Sequence, residues 1–252
     1  MRLVSIGDSF TEGVGDEQAD GSLRGWADLL ALGIATATAS PIQYANLAIR
    51  GRLLEPIVSE QLDVALALQP THLTFNGGGN DMLRPRMDAN RLIARVEYVV
   101  QRCLDAGVAP ILIAGPNPGA QAGLPLGGRF SRRGSLLTEA LVRLSTQYEV
   151  SFVDNFHDLE IRRPGYWTAD RLHLNPAGHA RIAANMLRGL GYPVTIEQPV
   201  PAPDPQRTVS TEIRYWRAHV LPWATRHLRG RSSGDNRTGK HRDLIDVYPL
   251  LA

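Results

Sequence analysis

The chain has 252 residues, 43% of them hydrophobic, with a formal net charge of +2 and a single cysteine, Cys103. That length and apolar share fit one sizeable folded core and exclude disorder throughout. A lone cysteine excludes an intrachain disulfide, and no apolar run approaches the length of a membrane span. The first residues run straight into a strand pattern without a basic and apolar leader, so a cytoplasmic location is expected.

Arg2–Ile6 is a short apolar run, and it predicts the first strand. Gly7-Asp8-Ser9-Phe10-Thr11-Glu12-Gly13 follows it. A serine just past a strand end and before a helix can be presented as a nucleophile, with backbone N–H groups facing a developing oxyanion. Gly-Asp-Ser alone also makes ordinary turns. Further strands are predicted at Ile42–Leu47, Thr71–Asn76, Ala109–Ala114 and Ser151–Val153.

Helical patterns fall between them, each with one apolar face. Trp26, Leu29, Leu30 and Ile34 line the first face. Leu53, Ile57, Leu62, Leu66 and Leu68 line the second. Leu92, Val96, Val99, Val100, Cys103 and Leu104 line the third. Leu136, Leu137, Ala140, Leu141 and Leu144 line the fourth, and Ala180, Ile182, Ala183, Met186 and Leu187 the last. Alternation of this kind predicts an α/β fold with a parallel sheet.

Ligands in such sheets bind beyond the carboxyl ends of the strands. Ser9 falls there, as do Gly51 after the second strand and Asn80 in Asn76-Gly77-Gly78-Gly79-Asn80-Asp81 after the third. The glycines permit tight turns that would aim the Asn80 amide into the cleft. Asp170-Arg171-Leu172-His173, before the last helix, supplies an Asp and a His, the residue types that complete a serine triad. Each also has a plainer reading: Asp170 and Asn80 as turn formers, and His173 as a structural histidine. His179 is read as structural, and Asp8 and Asp81 as carboxylates holding loops by their backbone groups. No convincing third ligand accompanies Asp170 and His173, so no metal is expected. Gly-x-Gly-x-x-Gly is absent from the first strand–helix turn, so no nucleotide cofactor is expected either.

With these four blocks in order, the chain resembles an SGNH hydrolase of the GDSL esterase/lipase family. The matching residues are Gly7-Asp8-Ser9 with Thr11 and Gly13, then Gly51, Gly78-Gly79-Asn80-Asp81, and Asp170-Arg171-Leu172-His173. The resemblance implies a flavodoxin-like three-layer α/β/α sandwich with five parallel strands in order 2-1-3-4-5. It also implies an esterase or lipase working through an acyl-enzyme. Ser9 would be the nucleophile, His173 the general base and Asp170 its orienting partner. The N–H groups of Ser9 and Gly51 with the Asn80 amide would form the oxyanion hole. An acyltransferase would use the same acyl-enzyme, and a binding module that kept the fold is a third reading. The substrate would be a small-molecule or lipid ester.

Three regions are expected: a catalytic domain over 1–193, a Pro-rich linker over 194–210 and a basic tail over 211–252. From Arg207 onward there are nine basic and four acidic residues, against 18 and 21 in the rest. A helix is expected over Thr211–Leu228, interrupted at Pro222. Its tryptophans and leucines either pack on the body or make an amphipathic surface for anionic lipid or a protein partner. The tail lacks the signatures of a nucleic-acid binder.

Overall fold

Leu3, Val4 and Ile6 of the first strand are fully buried, so that strand has no solvent face. Burial on both faces is the mark of a parallel sheet covered by helices on each side. The computed structural model describes residues 1–121, 123–221 and 233–250. In chain order its main elements begin with β1 (Arg2–Ile6), α1 (Ser9–Glu12), α2 (Trp26–Ala37) and β2 (Ile42–Asn46). A continuous helical rod follows: α3 (Leu54–Pro56), a π-helical turn (Ile57–Leu62) and α4 (Asp63–Ala67). Then come β3 (His72–Phe75), α5 (Gly79–Met82), α6 (Ala89–Asp105), β4 (Ala109–Ala114), α7 (Gly127–Tyr148) and β5 (Ser151–Asp154). α8 (Pro176–Gly189), α9 (Val209–Tyr215) and β6 (His241–Val247) complete the series.

The sheet order is β5-β4-β3-β1-β2-β6. Its first five members are parallel and follow the expected 2-1-3-4-5 order, read from the other edge. The sixth corrects the expectation of five strands. β6 runs antiparallel along β2, pairing Ile42 with Val247 and Tyr44 with Ile245. It escapes the sequence pattern because it is an edge strand rich in charge (His241, Arg242, Asp243, Asp246) with little burial. Charged edge strands discourage pairing with other chains, and in a sequence they read as solvated tail.

Strand alternation sorts the core into two layers. Val4, Ile6, Leu73, Phe75 and Leu112 face the rod, α6 and α7. Leu3, Ile42, Ile111, Ile113 and Val153 face α2 and α8. Leu104 and Leu136 depart from the expected faces and are exposed. Cys103 is buried in the first layer, and burial pushes its thiol up to about 12.

The proline-rich segment lies against the body. Ile196 is buried, the Thr195 hydroxyl donates to Gly33 O, and Ala202 N–H donates to Gly165 O. Up to Leu221 the expected helix is present, as α9 passing into a π-helical turn (Trp216–Val220). Tyr215 is its buried contact, whereas Ile213, Trp216 and Leu221 are exposed. The expected helix from Pro222 onward, with Trp223, lies outside the described residues. Among the described residues no helix is long and apolar enough to cross a membrane.

Candidate active site

β1 ends at Ile6, Gly7 follows, and the Asp8 carboxylate caps the next turn by accepting Phe10 N–H at 3.1 Å. That cap starts α1 at Ser9, beyond the carboxyl edge of the sheet. From the far end of the chain, the loop before α8 reaches the same place. Trp167 and Leu174 pair across its base, and Arg171 turns the tip with a left-handed φ of 61°. Oδ1 of Asp170 accepts the N–H groups of Leu172 and His173 at 2.8 and 3.0 Å. The loop therefore closes on its own aspartate, an Asx-type turn. Oδ2 is left to meet Nδ1 of His173 at 2.7 Å, and Nε2 of the same ring lies 3.0 Å from Ser9 Oγ. An Asp-x-x-His spacing thus lets one carboxylate shape the turn and orient the ring.

Burial opposes ionisation of Asp170. The His173 ring, the Thr168 hydroxyl at 2.6 Å and the His173 N–H outweigh it and hold the carboxyl well below its ordinary range. Asp170 is therefore ionised across the neutral range. Asp8 goes the other way. Burial pushes its carboxyl up to about 6, against the pull of Phe10 N–H and of His173.

Asn80 begins the turn after Gly78, whose φ of 94° favours glycine. Its Nδ2 donates to Arg52 O at 2.9 Å and to Asp8 Oδ2 at 3.3 Å. Ser9, Asn80, His173 and Asp8 line one cavity of about 100 Å³. Its inner wall is apolar, built by Phe10, Ile113, Phe130, Leu137, Phe156 and Trp167. Gly51 does not line that cavity. It takes a positive φ of 73° one residue before Arg52, whose carbonyl holds Asn80.

Asp81 Oδ2 accepts Leu54 N–H at 2.9 Å, the loop-holding role expected of it. His179 is fully buried, with Nδ1 accepting Trp26 N–H and Nε2 donating to Val14 O. Burial pushes its ring down to about 4, so it is neutral and structural.

Three residues of the site were missed in the sequence. Thr168 bonds Asp170. Glu12 is buried and accepts Arg50 N–H at 2.6 Å and the Arg50 guanidinium at 2.7 Å, tying the serine turn to the Gly51 loop. The signal for that pair was present: an acid three residues after Ser9 and a base immediately before Gly51. Arg171 pairs with Glu212 of α9 and nothing in its own block announced that partner.

A family model described as the GDSL-like lipase/acylhydrolase family matches residues 5–181. No curated protein matches the chain in sequence. Among solved structures, the psychrotrophic esterase EstA from Pseudoalteromonas sp., inhibited by monoethylphosphonate, is 19% identical with a TM-score of 0.59. The likeness covers 75% of this chain and 96% of that one. The acetylxylan esterase Axe2 from Geobacillus stearothermophilus is 18% identical at a TM-score of 0.62, over 78% of this chain and 96% of that one. TesA is 22% identical at 0.60, over 76% and 98%. At these identities the structural likeness speaks for the fold.

Proposed function

Because the chain belongs to the GDSL-like lipase/acylhydrolase family and is a carboxylic ester hydrolase, we propose that it works through an acyl-enzyme on Ser9. The observation that carries this reading is the hydrogen-bonded series Ser9 Oγ, His173 and Asp170, at 3.0 and 2.7 Å.

A serine hydroxyl is a weak nucleophile until a base stands within hydrogen-bond reach. In the first step Ser9 Oγ attacks the ester carbonyl carbon and its proton passes to His173 Nε2. The tetrahedral oxyanion is met by the Ser9 N–H and the Asn80 amide, which line the cavity, and the Gly51 N–H is proposed to complete the hole from the loop beside it. His173 then gives the proton to the departing alcohol oxygen as the C–O bond breaks. Water repeats the sequence on the acyl-enzyme and releases the acid. Asp170, ionised and bonded to Nδ1, keeps Nε2 free to accept and stabilises the imidazolium that forms. The Asn80 bond to Asp8 is the longer of its two, so it is the one an oxyanion displaces. The apolar wall behind Ser9 suits a hydrocarbon acyl group.

The test is hydrolysis of p-nitrophenyl esters from acetate to palmitate by the wild type and Ser9→Ala. Turnover that disappears in a folded Ser9→Ala is the expected result. A wild type inert on every chain length would contradict it.

A further inference from the structure

The family match ends at residue 181, yet α9 and the π-helical turn after it stand beside the candidate catalytic loop. A second cavity, of about 160 Å³, opens there. One wall comes from the loop before α8, with Asp170, Leu172 and His173. A second comes from Leu83, Leu124 and Pro125. The third comes wholly from the tail, with Tyr215, Ala218, His219 and Val220. Ser9, Asp8 and Asn80 line only the first cavity, whereas Leu83, Leu172 and His173 line both. The two spaces therefore meet at the imidazole.

From this arrangement the geometry points to the C-terminal segment as one wall of a leaving-group subsite, shaped for an uncharged alcohol of about benzene size. The inference rests on the acyl-enzyme reading above. In that chemistry the acyl carbonyl must sit between Ser9 Oγ and the oxyanion donors. The departing alcohol must lie on the side of the base that protonates it. The second cavity borders His173 and none of the oxyanion donors, so it lies on the alcohol side. A cavity of about 150 Å³ lined by apolar side chains accepts benzene, which sets the size.

The lining is mostly aliphatic and aromatic, and the strong charges near it are already paired. Asp170 is bonded to His173. Arg171 makes two bonds to Glu212, at 2.6 and 3.0 Å, and its guanidinium lies 3.9 Å from the Tyr215 ring centre. Arg207 adds a further bond to Glu212 at 3.0 Å. The clamp has a second consequence. Arg171 stands between Asp170 and His173 in sequence, so the residue that fixes the tail wall belongs to the catalytic loop itself.

The experiment uses the full-length chain and two ester panels. In one the acyl group is acetate and the alcohol runs from methanol through butanol to benzyl alcohol. Methanol and benzyl alcohol have similar acidity, so their ratio reads the fit of the alcohol and not its quality as a leaving group. In the other the alcohol is methanol and the acyl chain lengthens. Ala218 is exposed at the rim, so Ala218→Trp adds bulk without disturbing the core. The wild type is expected to prefer benzyl over methyl acetate by at least tenfold in kcat/KM. Ala218→Trp is expected to cut that ratio at least tenfold while shifting the acyl-length ratio by less than twofold. Val220→Phe, on the next part of the same wall, should do the same. An alcohol ratio unchanged within twofold in both variants would overturn the subsite. So would a shift in the acyl ratio alone, which would assign this space to the acyl chain. Ser9 labelling by a fluorophosphonate is read on the same wild-type sample. Without labelling the acyl-enzyme reading itself fails, whereas labelling with flat alcohol selectivity sinks only the subsite.

Discussion

Burial raises the carboxyls of both Asp170 and Asp8, yet the two end up shifted in opposite directions because their partners differ. Asp170 faces an imidazole, a hydroxyl and backbone N–H groups, and it stays ionised. Asp170→Asn keeps the shape of the turn but leaves Nδ1 without its acceptor, so kcat should fall by about 10⁴-fold with KM little changed. A loss below tenfold would mean that Asp170 only shapes the loop. Asn80→Ala removes one oxyanion donor and should lower kcat by about 10²–10³-fold. Steady-state kinetics on a p-nitrophenyl ester read both variants. Asp8 holds its proton to about pH 6 in the folded chain, against the ordinary value of 3.8. Between those values the folded chain binds more protons than the unfolded one. The stability that Asp8 contributes is thus fully present below about pH 4 and lost as pH rises through 6. It amounts to about 3 kcal/mol. The His179 ring, pushed down to about 4, shifts stability the opposite way over the same range, so the effect is read as a difference: between pH 4 and pH 7 the urea-unfolding free energy should change by about 3 kcal/mol less favourably in the wild type than in Asp8→Asn. Parallel curves for the two proteins would contradict it.

At the scale of elements, the oxyanion side of the site depends on how the α1 turn is joined to the loop after β2. Glu12 makes that join through both the backbone and the side chain of Arg50. Arg50→Ala would leave a buried carboxylate with only part of its bonding, at a cost of about 3 kcal/mol. It should also lower kcat, because Gly51 follows directly. Chemical denaturation and kinetics on the same variant test this, and a stable variant with normal kcat would show the pair to be dispensable. The five parallel strands were legible because each is a short apolar run bounded by Gly, Pro or polar residues, and burial on both faces leaves no other pattern. Ser9, Asn80, Asp170 and His173 were legible as residue types at strand and loop ends. Their contacts were not, because Ser9 and His173 are 164 positions apart and no local rule joins them. β6 was hidden for a different reason. A charged edge strand with one neighbour lacks the hydrophobic alternation that marks a strand. In α9 and the turn after it, Tyr215 faces the body at 6% exposure while Trp216 is 47% exposed.

On the scale of the whole molecule, the described part of the C-terminal segment is attached at several different places. α9 is clamped beside His173 through Arg171 and Glu212, whereas β6 closes the β2 edge of the sheet. Before β6, the Lys240 ammonium donates to Glu12 O and Leu23 O, at 2.9 and 3.0 Å, and pairs with Asp28. The far end of the chain is thereby joined to the serine turn. Hydrogen bonds to a charged group are worth about 1.5–3 kcal/mol. A lost kcal/mol shifts Tm by about 2–4 °C in a chain of this size. Removal of residues 233–252 should therefore lower Tm by at least about 5 °C and open an edge prone to association. Scanning calorimetry and light scattering check both effects, and an unchanged Tm with a monodisperse product would contradict them. The central claim, that Ser9 is an activated nucleophile, is tested most directly by intact-mass measurement after treatment with a fluorophosphonate. One phosphonyl adduct per wild-type chain, none on Ser9→Ala and strongly slowed labelling of His173→Ala is the expected result. An unlabelled wild type, or equal labelling of all three proteins, would contradict it.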